Sequence, residues 1–481
     1  MAEDTSRRFA VIGVGAAGLA TLRVISQEIR DQIASGEFEL VGFEKRQDLG
    51  GVWFSDPYSP PLFKQEWPES AIYNSLTTNI PHPLMYYSSF PAAPSTPLFT
   101  PAGTVHDYMH SYEAQFNLRQ YIKFNSTVTS ASWDQSMGRW EVTSQSSNGT
   151  GSDTSKSYFD HLFVANGHYR RPFIPEIAGF SDWAASDSRS YTHSICYRTP
   201  EPYKNHSVLV IGGGRSGIDI SEEVAGVAKQ TVHSIRSRGD EDFEHIIQRG
   251  AISHFSSDGF VHFVNGKKEL VDRIIFATGY EYDCSFLTQL PIHEPRLSSD
   301  HLYNSRFHIY PLALHMFPLK ATFPPSSLAF IGIPIGILVF TQVEAEATLA
   351  IRQMIGKISI DFEQEMLEVV ERNEQLRRMH NDSPLELARA WHRFEGDSAW
   401  DFVDLIWEKA GESHRTPAWK RELMPLGYVM RAEWERIDAA GLSQVWLDGV
   451  GKGGIQEWVE HMRRVLRRAR ERQYRSMAHL A

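Results

Sequence analysis

Short apolar runs in this chain end on glycine clusters and give way to helical spacing, and the alternation occurs twice in nearly the same form. Residues 9–12 (Phe-Ala-Val-Ile) lead into Gly13-Val14-Gly15-Ala16-Ala17-Gly18, after which 19–33 space their apolar positions as an amphipathic helix. Residues 38–43 form the next apolar run, with Glu44 at its tip. Residues 208–211 (Val-Leu-Val-Ile) lead into Gly212-Gly213-Gly214-Arg215-Ser216-Gly217, with a helix expected over 218–228 and a strand over 231–235. Each is the pattern of a buried strand, a tight turn, an amphipathic helix and a second parallel strand.

The remaining pattern is less regular. The Pro-rich stretch 56–101 reads as loop with short helical pieces, 104–117 as helix, 122–133 and 140–144 as strands, 146–157 as a polar loop and 158–166 as a buried strand. Residues 200–205 read as a linker. Asn265-Gly266 inside the alternating stretch 260–270 is a two-residue hairpin signal, and 273–276 is a strand. From Thr341 onward the spacing is mainly helical. The expected fold class is therefore α/β, two Rossmann-like dinucleotide-binding domains with a largely helical C-terminal region.

The glycine positions carry chemistry. In such a turn the first glycine (Gly13, Gly212) makes the bend and the second (Gly15, Gly214) lets backbone approach a pyrophosphate. The third (Gly18, Gly217) lets helix and strand pack closely, and the first-turn N–H groups, here of Ala16 and Ala17 or Arg215 and Ser216, then face the phosphates. Two such sites imply two dinucleotides, most simply FAD with a nicotinamide that reduces it. The expected domains are 1–198 (FAD, first part), 199–320 (NADPH) and 321–481 (FAD, second part, with a helical extension).

Composition narrows the field. A net charge of −11 over 481 residues argues against nucleic acid as partner. Cys196 and Cys284 stand far apart with no C-x-x-C, which excludes a disulfide framework, a cysteine zinc site and the redox dithiol of disulfide reductases. No metal ligands are expected, and lone histidines such as His82 and His106 read as structural. The polar start, 1–8, fits no signal peptide, and the most apolar stretch, 328–340, is too short to span a bilayer and is broken by Pro334. A cytoplasmic protein is expected, with a homodimer allowed. The arginine-rich run 463–475 reads as a solvated helix.

Six features in order across 9–350 resemble the flavin-containing monooxygenase family of class B flavoprotein monooxygenases, in its microbial and fungal type. They are the first glycine motif; Glu44 with Gly50-Gly51-Val52-Trp53; Tyr73-Asn74-Ser75-Leu76-Thr77-Thr78-Asn79-Ile80-Pro81; the second glycine motif; Phe276-Ala277-Thr278-Gly279-Tyr280; and Leu328-Ala329-Phe330-Ile331-Gly332 with Phe340 and Glu344 beyond. One stretch departs. His193 and Tyr197 match the second half of the family's F-x-G-x-x-x-H-x-x-x-(Y/F/W), but Asp187 and Arg189 replace its Phe and Gly.

Glu44 suits a ribose whose hydroxyls are both free, as in FAD. The resemblance implies that Gly51, Val52 and Trp53 approach the flavin, that Val128 meets the adenine, and that Thr78 and Asn79 belong to the cofactor site. It makes Asn79 the catalytic residue, an amide near the reactive flavin edge that donates and accepts without titrating. In the second unit Ser234 and Arg236 stand where the 2′-phosphate of NADPH would sit, with no carboxylate to reject it, and Arg215 is a further phosphate candidate. The implied activity is oxygenation of a small molecule at a nucleophilic nitrogen or sulfur by NADPH, O2 and a C4a-hydroperoxyflavin, as a tailoring step on a specialised metabolite. Tyr197 leans toward heteroatom oxygenation over Baeyer–Villiger insertion; a Baeyer–Villiger oxygenase or an N-hydroxylase is the alternative within the class. A non-oxygenating flavin redox protein is the alternative outside it.

Overall fold

Apolar side chains on both faces make the two glycine-ended strands central members of parallel sheets. The structure, a computed structural model, describes residues 6–56, 67–146, 153–336 and 339–478. The chain divides into two compact units: Met1–Gly51, Thr77–Gly167 and Tyr282–Ala481 form the first, Val52–Leu76 and His168–Glu281 the second.

In the first unit, strand Arg7–Ile12 pairs in parallel with Phe38–Phe43 on one side and His161–Val164 on the other. Ile122–Lys123 and Leu328–Phe330 extend the two edges, giving five strands. An antiparallel meander, Ser126–Asp134, Arg139–Ser146 and Asp153–Phe159, packs Trp140, Val142 and Phe159 into the same core as Ala10, Ile12 and Val164. The C-terminal helices make a second core in which Met430, Trp434, Trp458 and Met462 close over Leu84, Leu98 and Phe99.

In the second unit, Ser207–Ile211 lies between Gln230–Ser234 and Arg273–Phe276, all parallel. The sheet has six strands, with Ser190–His193 at one edge and the antiparallel Glu241–Asp242 at the other. The hairpin at Asn265-Gly266 forms as expected, joining Phe260–Phe263 to Lys268–Leu270 with Gly266 at φ +84°.

Several expectations are corrected. The helix expected over 19–33 begins at Ala16 and breaks at Ile29 (φ −124°, ψ 31°) into Ala16–Glu28 and Arg30–Ser35. The polar loop 146–157 contains most of the strand Asp153–Phe159, while 147–152 lie outside the described residues. Its first four residues are exposed, so no apolar alternation marked it. The strand expected over 158–166 is interrupted at Asp160, whose carboxylate accepts from the Arg8 N–H and from Arg139. The expected domain boundaries at 198 and 320 move to 167 and 281, because Ser190–His193 pairs with Arg273–Phe276 and Trp183 is buried in the second unit's core. Leu287, Leu302 and Leu312 are buried in the first unit's core instead.

Candidate functional site: two dinucleotide turns

In the first unit the sheet brings Gly13, Gly15, Gly18, Glu44 and Gly51 together. Gly13 has φ +93°, and a Cβ there would lie 2.7 Å from the Ala165 carbonyl oxygen. A Cβ on Gly18 would lie 1.9 Å from the Gly13 oxygen, so only hydrogen fits between helix and turn. A Cβ on Gly15 would sit 3.3 Å from the Gly51 Cα, and Gly51 itself has φ +55°. Gly15 caps helix Ala16–Glu28 in extended geometry with no side-chain cap, so Ala16 and Ala17 begin a helix whose first N–H groups have no capping side chain.

Glu44 stands directly past strand Phe38–Phe43 and is buried. Its carboxylate accepts the Val14 N–H on one oxygen and the Arg46 N–H on the other, both at 2.9 Å. Burial pushes its pKa up, and these two backbone hydrogen bonds oppose that rise. Each oxygen keeps a further lone-pair site for a ribose hydroxyl. Val128 is half-buried on a strand whose first residue, Ser126, donates its N–H to the Glu44 carbonyl at 2.8 Å.

Thr78 and Asn79 lie on another segment of this unit. Thr78 is buried, and its N–H and Oγ1 bond the Thr100 carbonyl and N–H at 2.9 Å each. These two hydrogen bonds tie the segment to Thr100. Asn79 is exposed, and the neighbouring Ile80 packs on the C-terminal helical core.

In the second unit Gly212 (φ +131°) gives its N–H to the Ser234 carbonyl, and a Cβ there would fall 2.2 Å from the Ala277 oxygen. A Cβ on Gly217 would lie 2.0 Å from the Gly212 oxygen, whereas one on Gly214 would meet nothing within 4 Å. Gly214 caps helix Arg215–Ala225, again with no side-chain cap. His233 Nε2 donates to the Gly212 carbonyl at 2.8 Å, and burial lowers its pKa, so a neutral imidazole braces the turn.

Two expected residues have partners within this unit. Ser234 is buried and spends its only donor on the Gly250 carbonyl at 2.8 Å, so it is not a phosphate donor. Arg215 pairs with Asp219, one turn further along its helix, at 2.9 Å. Arg236 is exposed, two residues past the strand Gln230–Ser234. Ser216 is half-buried in the first turn of the helix, and Val52 and Trp53 belong to this unit, with the Val52 carbonyl accepting from the Ser70 hydroxyl. Tyr197 is buried, donates to Glu223 at 2.7 Å and packs edge-on to Tyr73. Burial pushes His193 down to about 4.

Other side chains support the first turn, and of these Tyr87 and Glu346 carried no local signal. The Tyr87 hydroxyl donates to the Ala16 carbonyl at 2.6 Å, and Glu346, fully buried, accepts the Gly332 N–H at 2.7 Å. Burial pushes Glu346 up to about 7. Glu344 binds Arg23 at 3.1 Å and the Ser88 N–H at 3.0 Å, a buried tie between helices. Among the described residues no helix is long and apolar enough to cross a membrane.

Comparison with known proteins places this geometry. A profile of flavin-binding monooxygenase-like proteins matches residues 6–250. Two Arabidopsis thaliana flavin-containing monooxygenases, GS-OX3 and GS-OX-like 2, are 30% and 31% identical, with 76% of this chain and 77% of each relative covered. The structure of S-allyl-L-cysteine S-oxygenase from Allium sativum superposes with a TM-score of 0.75 at 27% identity, covering 89% of this chain and 93% of that one. Cyclohexanone monooxygenase shares the fold, with a TM-score of 0.57 at 13% identity over 85% of this chain and 98% of that one. These sequence relatives are plant proteins and do not support the microbial and fungal type expected from the sequence.

Proposed function

The chain belongs to the flavin-binding monooxygenase-like family, and we propose that it adds one oxygen atom from O2 to a nucleophilic sulfur, or secondarily nitrogen, of a small molecule at the expense of NADPH. It is a flavin-binding oxidoreductase, and in this reading its cofactors are FAD and NADPH. The observation that carries this reading is the pair of strand–glycine-turn–helix units, each ending on a helix N-terminus that no side chain caps. The preference for sulfur rests on the likeness to an S-oxygenase over 89% of the chain.

In this reading the first unit takes FAD. Gly13, Gly15, Ala16, Ala17 and Gly18 bracket its pyrophosphate, Glu44 takes the ribose, Gly51 approaches from the facing loop, and Val128 flanks the adenine. The second unit takes NADPH on Gly212, Gly214, Ser216 and Gly217, with Arg236 reading the 2′-phosphate. Bound FAD supplies hydride acceptance and oxygen activation; the protein positions it and excludes water. The Asn79 amide, held by Thr78 and Ile80, donates a hydrogen bond where negative charge develops, without titrating.

The test supplies NADPH and ¹⁸O2 with a thioether, a tertiary amine or a cyclic ketone. Labelled sulfoxide should form fastest. NADPH consumption that yields only hydrogen peroxide, or a labelled lactone from the ketone, overturns the reading. Asn79→Ala should keep its FAD and its reduction by NADPH but divert oxygen to peroxide, by about 2.7–4 kcal/mol of lost stabilisation. Unchanged coupling would make Asn79 a turn residue.

A further inference from the structure

Helix Ala102–Gln115 carries His106 and His110 four residues apart, so both imidazoles share one face, with ring centroids 4.6 Å apart. Facing them is Asp48, on the loop between Glu44 and Gly51. Its Oδ2 lies 3.1 Å from His110 Nε2 and 4.0 Å from His106 Nε2. One ligand atom from each residue falls within 4.8 Å of the other two, and among the described residues no other such group of histidine, cysteine or carboxylate side chains is found. The Leu49 carbonyl oxygen is 2.9 Å from His106 Nε2.

A tetrahedral ion with bonds of about 2.0–2.2 Å holds its ligand atoms roughly 3.3–3.6 Å apart. The distances of 3.1 and 4.0 Å bracket that spacing. Two imidazole nitrogens and one carboxylate oxygen are the donor set of borderline divalent ions, zinc first. We infer that Asp48, His106 and His110 form a binding site for one zinc-type divalent ion, with the Leu49 carbonyl or a water as fourth ligand. On binding, each imidazole coordinates through a deprotonated Nε2 and carries its hydrogen on Nδ1. The ion thereby replaces the contacts from His106 to Leu49 and from His110 to Asp48.

Its role follows from where the loop goes. Gly50 donates its N–H to the Val14 carbonyl at 3.0 Å, and the next residue, Gly51, abuts Gly15. The ion ties this loop to a long helix and so stiffens one wall of the first glycine turn. That consequence rests on the assignment of FAD to this turn; ion binding itself does not.

The test titrates tag-free, chelator-treated, FAD-loaded full-length protein with Zn²⁺ by calorimetry and with Co²⁺ by visible absorption. One ion per chain is expected, with cobalt d–d bands to the red of the flavin band. His110→Gln and Asp48→Asn should each weaken Zn²⁺ binding by more than about 100-fold, beyond the loss typical of an outer-shell partner. His254→Gln, beside the stacked His262 of the second unit, should leave it unchanged. FAD content and circular dichroism measured before titration show that each variant is folded. Equal zinc affinity in wild type and both ligand variants, or no stoichiometric binding in wild type, overturns the site. Zn²⁺ should also slow FAD release from wild type and not from His110→Gln; binding without slowing overturns the stiffening role.

Discussion

After the first glycine of each turn stands Val14 in one unit and Gly213 in the other, and directly past each second strand stands Glu44 or Ile235. The sheet registers make these positions counterparts, since Ile12 pairs with Phe43 and Ile211 with Ser234. In the first unit the Val14 N–H is bound by the Glu44 carboxylate. In the second, Ile235 fills that space, and a Cβ on Gly213 would lie 2.7 Å from its Cγ2. The middle glycines also differ: Gly15 is closed in by Gly51, whereas the space beside Gly214 is open. One backbone plan is thus rimmed by a charge that suits free ribose hydroxyls in one unit. In the other it is rimmed by hydrocarbon, with the exposed Arg236 next in the chain.

The sharpest way to break this comparison is to fill both middle glycines. Gly15→Val should lose FAD altogether, because the side chain must displace the Gly51 backbone. Gly214→Ala should fold with a stability loss of about 1 kcal/mol or less, as a cap substitution, and raise the KM for NADPH. Equal losses of stability, read by thermal unfolding, would put both turns under the same constraint.

Next comes coenzyme choice. Arg236→Ala should cost NADPH binding about 1.5–3 kcal/mol in kcat/KM and leave NADH unchanged. Ser234→Ala should weaken both coenzymes alike, since its hydroxyl serves Gly250. A selective NADPH loss in Ser234→Ala would restore it as a phosphate reader.

Gly213→Val should destabilise the second unit by about 1–3 kcal/mol through overpacking against Ile235. Gly213→Val/Ile235→Ala should recover part of that loss. Absence of any recovery would show that the clash lies elsewhere.

The smallest effect is the pH dependence that Glu44 brings to the first turn. Burial raises Glu44 above 4.5, so the folded state holds its proton to higher pH than the unfolded chain. Its contribution to stability therefore falls as pH rises from 4.5 through the raised value and is level above it. Glu44→Gln should flatten the urea midpoint across that window, and Ile235→Val should leave it unchanged. An unaltered slope in Glu44→Gln would assign the dependence to another group.

Much of this was legible in one dimension because each signal was local. A strand buried on both faces reads as a continuous apolar run, and a turn that tolerates no Cβ reads as glycine at fixed spacing, so both βαβ units and the Asn265-Gly266 hairpin stood out. Asp153–Phe159 did not, since an exposed strand carries no apolar alternation. His106 and His110 were spaced for one helix face, but Asp48, the partner that turns a pair into a cluster, is 58 residues away from the nearer one.

The chain alone determined that there are two dinucleotide turns, their order, and the residues at their glycine positions, because steric exclusion at a turn acts between residues close in sequence. Tertiary structure decided what each side chain is free to do. It buried Ser234 against Gly250, drew Arg215 to Asp219 and tied Thr78 to Thr100. It also reassigned 168–198 to the second unit and 282–320 to the first through strand pairing and core packing. A side chain's donors are committed by whichever partner the fold brings within about 3 Å, and that partner is set by packing rather than by spacing along the chain.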